Sequence, residues 1–340
     1  MILIATIKDV AELAGVSVTT VSIIINGKTL ERRISEATKE RVLSVMNQLG
    51  YQPNLSARRL RYSDEKKPTI AFYWPIDYRI NILASFLNSI QNELKVLNFD
   101  CELVVQTYEN DNLQKNGSVI SKNSYNGIII GATSSQDVKY LESLSPQIPI
   151  VLINRNSDKF STVYIDSKEV GFQAALLLRQ KGYKEATVIA SDHTYVATGT
   201  RTQAFLYACS QLGINVQSKH ILRGNSTLAG GMEAAELYCN LENPPKIIFF
   251  ESDSMALGSL YTFHKRRIRI PEDLELLTIA MLDQENTQYS IPSLSVIQMP
   301  NKEICKKAVD ILIHSMERSN FLPVHVSVTP KVILRESFDL

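Results

Sequence analysis

Apolar residues near the start of the chain recur at helical spacing. Val10, Ala11 and Ala14 fall on one face, and Thr6 with Asp9 forms a capping pair, so a first helix is predicted from about Ile7. Gly15 permits a tight reversal. Ser17 can cap a second helix whose inner face is Val21 with Ile24 or Ile25, leaving Val18, Thr19, Ser22, Ile23 and Asn26 turned outward. A third helix follows Ser35, with Val42, Val45 or Met46, and Leu49 as its apolar set and Gly50 as its stop. Two short helices meeting at a glycine, the second opening on small hydroxyl residues, fit a DNA-reading helix-turn-helix head.

From Thr69 onward the pattern changes to short unbroken apolar runs alternating with amphipathic stretches. The runs Thr69–Trp74, Cys101–Gln106, Gly127–Ile130, Ile150–Ile153, Val163–Ile165, Ala186–Ala190, Ile247–Phe250 and Leu276–Ala280 are predicted strands covered on both faces. Helices are predicted over Ile82–Leu97, Glu169–Gln180, Arg201–Leu212, Leu228–Cys239, Ser254–Lys265 and Lys302–Met316. This order implies an α/β body of doubly wound parallel sheets, with ligands bound beyond the carboxyl ends of strands. The body is long enough for two lobes. A charged stretch, Arg61 to Pro68, reads as the tether between head and body.

Charge sharpens the division. Residues 1–62 hold nine Lys or Arg against five acids, a net of +4, whereas the remainder carries −3, so a whole-chain charge of +1 hides a basic head on a mildly acidic body. That asymmetry is expected if only the head approaches phosphates. Signatures of P-loop, dinucleotide, zinc-protease and serine-nucleophile sites are missing, and neither the four cysteines nor the five histidines show ligand spacing. Enzymatic activity, a metal and a cofactor are therefore not expected. The cysteines read as reduced core thiols, and no apolar run approaches the roughly 18 residues of a membrane span, so a cytoplasmic location is expected.

The order T-I-K-D-V-A, A-G-V-S, T-V-S, I-N-G, L-G-Y-Q-P-N and A-R-R-L-R resembles the lactose-repressor/galactose-repressor (LacI/GalR) family of bacterial transcription regulators. The resemblance implies a head over 1–53, a hinge helix and linker over 54–68, and a body over 69–340 like the periplasmic sugar-binding proteins. The first lobe would hold about 69–165 plus 297–323, and the second about 166–296 plus 324–340. In such proteins the hinge helix folds on operator DNA and its leucine, here Leu60, wedges between base pairs of the minor groove; the alternative is a leucine packed on the body. Eight residues are too few for a stable lone helix, which agrees with folding on a partner surface. The resemblance places Val18, Thr19 and Ile23 at base edges and Asn26 near bases or backbone, with Thr6, Ser17, Thr20, Ser22, Asn54, Ala57 and Arg58 also on the DNA. Ile23 stands where many relatives carry a polar residue, and it can meet a thymine methyl but cannot donate to guanine.

Looser matches continue to about residue 318, among them I-V-L-I-N-R (Ile150–Arg155), T-G-T-R (Thr198–Arg201) and E-S-D-S-M-A-L-G (Glu251–Gly258). By position they imply that Asp166, Arg201, Ser252 and Asp283 face an effector cleft, with Arg201 and Asp283 as paired binders of hydroxyls, and with Trp74, Asp77 and Tyr78 nearby. Simpler roles stay open: Asp166 as a helix cap, Asp253 as a support of its own helix, Trp74 as lobe packing, and Arg201 against a buried carboxylate. Met281 replaces a glycine usual in relatives, and W-P-I-D-Y-R replaces their common loop after the first strand. The implied function is an effector-controlled repressor of a carbohydrate-use operon. Its partners would be pseudo-palindromic double-stranded operator DNA, a small effector such as a sugar or sugar phosphate, and a second copy of the chain in a homodimer. The alternative is a global catabolite regulator answering to a phosphorylated partner protein.

Overall fold

A computed structural model describes residues 7–25, 32, 34–49, 67–77, 79–117, 120, 124–192, 196–317 and 322–340. The chain divides into two compact units, Met1–Lys66 and Lys67–Leu340.

In the first unit, α1 (Ile7–Ala14), α2 (Val18–Ile25) and α3 (Glu36–Gln48) enclose a small core of Val10, Ala11, Ala14, Val21, Ile24, Val42 and Val45. Gly15 takes φ +63°, which turns the chain between α1 and α2 within three residues. Ser17 Oγ then accepts the backbone N–H of Thr20 at 3.0 Å, and Ser35 Oγ accepts that of Thr38 at 3.2 Å, so each following helix opens on a hydroxyl cap.

The second unit holds two six-stranded sheets. The first lobe contains β1 (Thr69–Pro75), β2 (Glu102–Tyr108), β3 (Gly127–Gly131), β4 (Ile150–Ile153), β5 (Ser161–Tyr164) and β11 (His325–Ser327), all parallel, in the order β11-β5-β4-β3-β1-β2. The second contains β6 (Thr187–Ser191), β7 (Ile221–Gly224), β8 (Ile247–Phe250), β9 (Glu275–Ala280), β10 (Ser295–Gln298) and β12 (Lys331–Ile333), in the order β12-β10-β9-β8-β6-β7. Among the described strands, only β12 runs antiparallel to its neighbour. The central strands are almost wholly apolar and buried, as strands sandwiched between helices must be.

Helices α4 (Ile80–Val96), α5 (Ser135–Ser143) and α11 (Asn301–Met316) belong to the first lobe. Helices α6 (Ser167–Gln180), α7 (Val196–Gln211), α8 (Leu228–Cys239), α9 (Asp253–Lys265) and the short α10 (Gln284–Gln288) belong to the second. Among the described elements the chain passes from one lobe to the other after β5, between β10 and α11, and between β11 and β12. The last crossing corrects the expected boundary at 324. His325–Ser327 extends the first sheet beside β5, and the return to the second lobe falls between Ser327 and Lys331. The crossing before it follows Gln298, so residues 297 and 298 stay with the second lobe.

Four strands, β7, β10, β11 and β12, and two helices, α5 and α10, lie outside the stretches predicted from sequence. All four strands are three or four residues long. Edge strands β7, β11 and β12 are only partly covered, so their polar residues break the apolar signal.

Candidate functional site

The head presents one outward surface on α2. Val18 is 40% exposed, Ser17 and Thr19 are exposed, and Thr20, Ser22 and Ile23 are half-buried, while Val21 and Ile24 face the core. The arrangement follows from the 3.6-residue period: once Val21 and Ile24 pack, Val18 and Thr19 must face away. Lys8 and Arg41 are exposed on α1 and α3. Thr6, Asn26, Asn54, Ala57, Arg58 and Leu60 lie outside the described residues.

A cleft opens between the two lobes of the larger unit, with about 840 Å³ of empty space including that open to solvent. Trp74, Ile82, Phe86 and Ile153 give its apolar wall; Arg79, Asn154 and Arg155 lie on the same lobe; Arg201, Ser226, Glu251, Ser252, Asp253 and the Met281–Leu282 segment line it from the other. A mainly apolar hollow with a few convergent polar groups is the usual form of a small-molecule site. Most of these residues follow the carboxyl ends of β1, β3, β4, β8 and β9, where ligands of doubly wound sheets bind. Two lining residues carry backbone strain: Ala132 (φ +56°) after β3 and Asn154 (φ +55°) after β4. Left-handed conformations away from glycine gather at ligand sites. Oδ1 of Asn154 is buried with no hydrogen-bond partner.

Arg201 is 2% exposed and lies in the second turn of α7, because that helix begins at Val196 and not at Arg201 as the sequence predicted. Gly171 on α6 sets its depth: a Cβ there would stand 2.4 Å from the carbonyl oxygen of Arg201, so only glycine lets α6 and α7 approach this closely. Its Nη1 lies 3.7 Å from Met281 Sδ. One residue on, Thr202 Oγ1 donates to Glu251 Oε2 at 2.5 Å, which places a buried carboxylate in the same wall.

Trp74 lines the cleft but is 2% exposed, its ring packed against Phe86 (5.0 Å between centroids) and Phe72 (5.5 Å), with Nε1 donating to the carbonyl of Arg79 at 3.2 Å. Asp77 is not in the wall. Its two oxygens take Nε and Nη2 of Arg79, whose Nη2 also donates to Asn110. Asp77 thus fixes a cleft arginine from behind. Ser252 lines the cleft at the N-cap of α9 without capping it. Tyr78 lies outside the described residues.

Two expected cleft residues are placed elsewhere. Asp166 is exposed and caps α6, accepting the backbone N–H groups of Lys168 at 2.9 Å and Glu169 at 3.4 Å. Asp283 is exposed, lies outside the cleft wall, and accepts Ser85 Oγ of α4 at 2.8 Å, so it joins the two lobes and does not pair with Arg201. Asp253 is nearly fully buried and does more than support its own helix: Oδ2 accepts the amides of Met281 (2.9 Å) and Leu282 (2.8 Å), and Oδ1 that of Ser254 (3.0 Å). Burial pushes its carboxyl up to about 6, against the pull of these N–H donors. Arg79, Asn154, Arg155 and Glu251 were not singled out from sequence. Their shared signal, a polar residue just past a buried apolar run, was present in W-P-I-D-Y-R, I-V-L-I-N-R and I-I-F-F-E-S.

Cys209 and Cys305 are buried thiols pushed up to about 12 by desolvation, which suits core packing and not nucleophilic chemistry. Among the described residues no group of three or more His, Cys, Asp or Glu is placed to hold a metal ion, and no helix is long and apolar enough to cross a membrane.

Comparison with known proteins agrees with this two-part architecture. Residues 6–54 match the model of bacterial regulatory proteins of the lacI family, and residues 175–338 match a periplasmic binding protein-like domain. The crystal structure of a LacI family transcription regulator from Clostridium acetobutylicum is 34% identical, with a TM-score of 0.76 over 79% of this chain and 100% of that one. A probable HTH-type transcriptional repressor, ExuR of Bacillus subtilis, is 28% identical over 88% of both chains. The HTH-type transcriptional repressor PurR of Photobacterium profundum is 26% identical over 98% of both. The chain belongs to the LacI family. It is accordingly a DNA-binding transcriptional repressor and not an enzyme.

Proposed function

We propose that the chain represses a carbohydrate-use operon as a homodimer, and that a small hydroxylated effector in the cleft controls its grip on a pseudo-palindromic operator. The cleft carries this reading. Arg201, Glu251 and Ser252 face, across one hollow, a wall of Trp74, Phe86 and Asn154, and an unpaired buried acceptor at Asn154 suits a ligand hydroxyl. Charged donors and acceptors bind hydroxyls more strongly than neutral ones, and an apolar wall takes the carbon face of a sugar ring.

On the DNA side, the exposure of Val18 and Thr19 on α2 supports their contact with base edges, with Ser17, Thr20, Ser22 and Ile23 flanking them. Thr6 and Asn26 would extend that surface, and Asn54, Ala57, Arg58 and Leu60 would form the hinge helix, Leu60 entering the minor groove. Effector favours one lobe arrangement, that arrangement sets the spacing of the two hinge segments, and one spacing admits both Leu60 side chains.

Selection of bound genomic fragments followed by titration tests the reading. A palindromic fragment flanked by sugar-use genes, bound more weakly or more tightly when one of the sugars those genes handle is added, is the expected result. Binding that ignores every sugar and responds to a phosphorylated partner protein would transfer control to that partner.

A further inference from the structure

We propose that the segment Met281–Asp283 connects the cleft mechanically to the crossover between the lobes, with Asn301 as its positioning residue; this rests on reading the cleft as an effector site. The segment follows β9 and is held from four directions. Met281 and Leu282 form part of the cleft wall, with Arg201 against the Met281 sulfur. Asp253 binds the amides of both residues. Gln298, the last residue of β10, donates Nε2 to the carbonyls of Ala280 (3.3 Å) and Leu282 (3.1 Å), and Asn301, the first residue of α11, donates Nδ2 to the carbonyl of Met281 at 2.7 Å. Residues 298–301 are the stretch by which the chain leaves the second lobe for the first. Asp283 then reaches the first lobe directly through Ser85. Three consecutive residues therefore touch the cleft, the crossover and the opposite lobe.

The hydrogen-bond arithmetic favours a segment that shifts over one that only braces. Asn301 and Gln298 give their N–H groups to the segment, while Oδ1 of Asn301 and Oε1 of Gln298 are buried with no partner. A buried acceptor without a donor is destabilising. This lobe arrangement leaves two amides half satisfied, and an arrangement that supplies either oxygen with a donor is favoured by comparison. A ligand pressing on Met281 or drawing Arg201 away from it acts on this balance. Because Asp253 fixes the amide side of the segment, displacement is passed through the Met281 carbonyl to Asn301.

Hydrogen exchange on the ligand-free full-length chain tests the connection. In Asn301→Ala, peptides covering 281–283 and the part of α4 around Ser85 exchange about tenfold faster, with α9 and the emission of Trp74 unchanged. A change confined to residues 300–303, or a uniform rise across the second lobe, overturns the proposal. In the second measurement, neutral sugars, sugar phosphates and sugar acids are titrated while Trp74 fluorescence and operator binding are followed. A compound that binds the wild type binds Asn301→Ala within about threefold, while its effect on operator affinity falls about tenfold. Binding and effect lost in proportion, or an effect fully retained, defeats this inference and leaves the effector reading of the cleft intact. A wild-type chain that answers to no compound defeats that reading and this inference together.

Discussion

The carboxylate of Asp253 accepts the backbone amide of Leu282 at 2.8 Å, twenty-nine residues along the chain, and so ties the start of one helix to the loop that leads into the next. Because burial raises this group from 3.8 to about 6, between about pH 4 and 6 the folded chain holds a proton that the unfolded chain has released. Stability from this group is complete at acidic pH and is lost as pH rises from about 4 to about 6, then stays level. Thermal unfolding of Asp253→Asn lacks that slope. Parallel curves for wild type and variant between pH 4 and 7 would contradict the assignment.

His220 contributes with the opposite sign. It is 2% exposed, neither ring nitrogen has a hydrogen-bond partner, and burial together with Lys219 holds it below its ordinary 6.5, against the weaker pull of Glu185. The folded chain keeps the ring neutral, so stability is complete above about 6.5 and is lost as pH falls below it. Relative to His220→Leu, the wild type loses melting temperature between pH 7 and 5; a constant difference would refute this.

Ser85 and Asp283 join the lobes by a single exposed hydrogen bond to a charged acceptor. Such a bond contributes on the order of 1 kcal/mol, so Ser85→Ala weakens a ligand that requires this lobe arrangement about fivefold. Trp74, the sole tryptophan, lies in the cleft and reports the titration directly. Unaltered ligand affinity would show that the bond persists equally in both arrangements.

Ser17 caps α2 through the Thr20 amide. Ser17→Ala costs the head about 1 kcal/mol by loss of that cap. A lowered unfolding midpoint of the head, with the second unit unchanged, is the expected calorimetric result; a shift of the second unit would mean the loss is not local.

Much of this was legible in the chain. Val10, Ala11 and Ala14 announced α1, and Ile247–Phe250 and Ile150–Ile153 coincide with β8 and β4, because a buried parallel strand has no polar face to blur it. The cleft was less legible. Asp166 and Asp283 both stand at helix N-termini, the place where a carboxylate is favoured with or without a ligand, so sequence position could not separate capping or bridging from binding. Glu251 and Asn154 become site residues only once β8 and β4 have taken their places in the two sheets and their carboxyl ends open on the same hollow. The role of Asn301 depends on a loop twenty residues earlier, a relation that no local pattern carries.

Control of the DNA-binding head by the cleft is decided by operator affinity, measured by fluorescence anisotropy with and without the cleft ligand for wild type and Arg201→Ala. Equal ligand-free affinity for the two proteins and a response to ligand in the wild type alone are the expected results. A variant that still responds, or a wild type that prefers no duplex sequence, refutes that control.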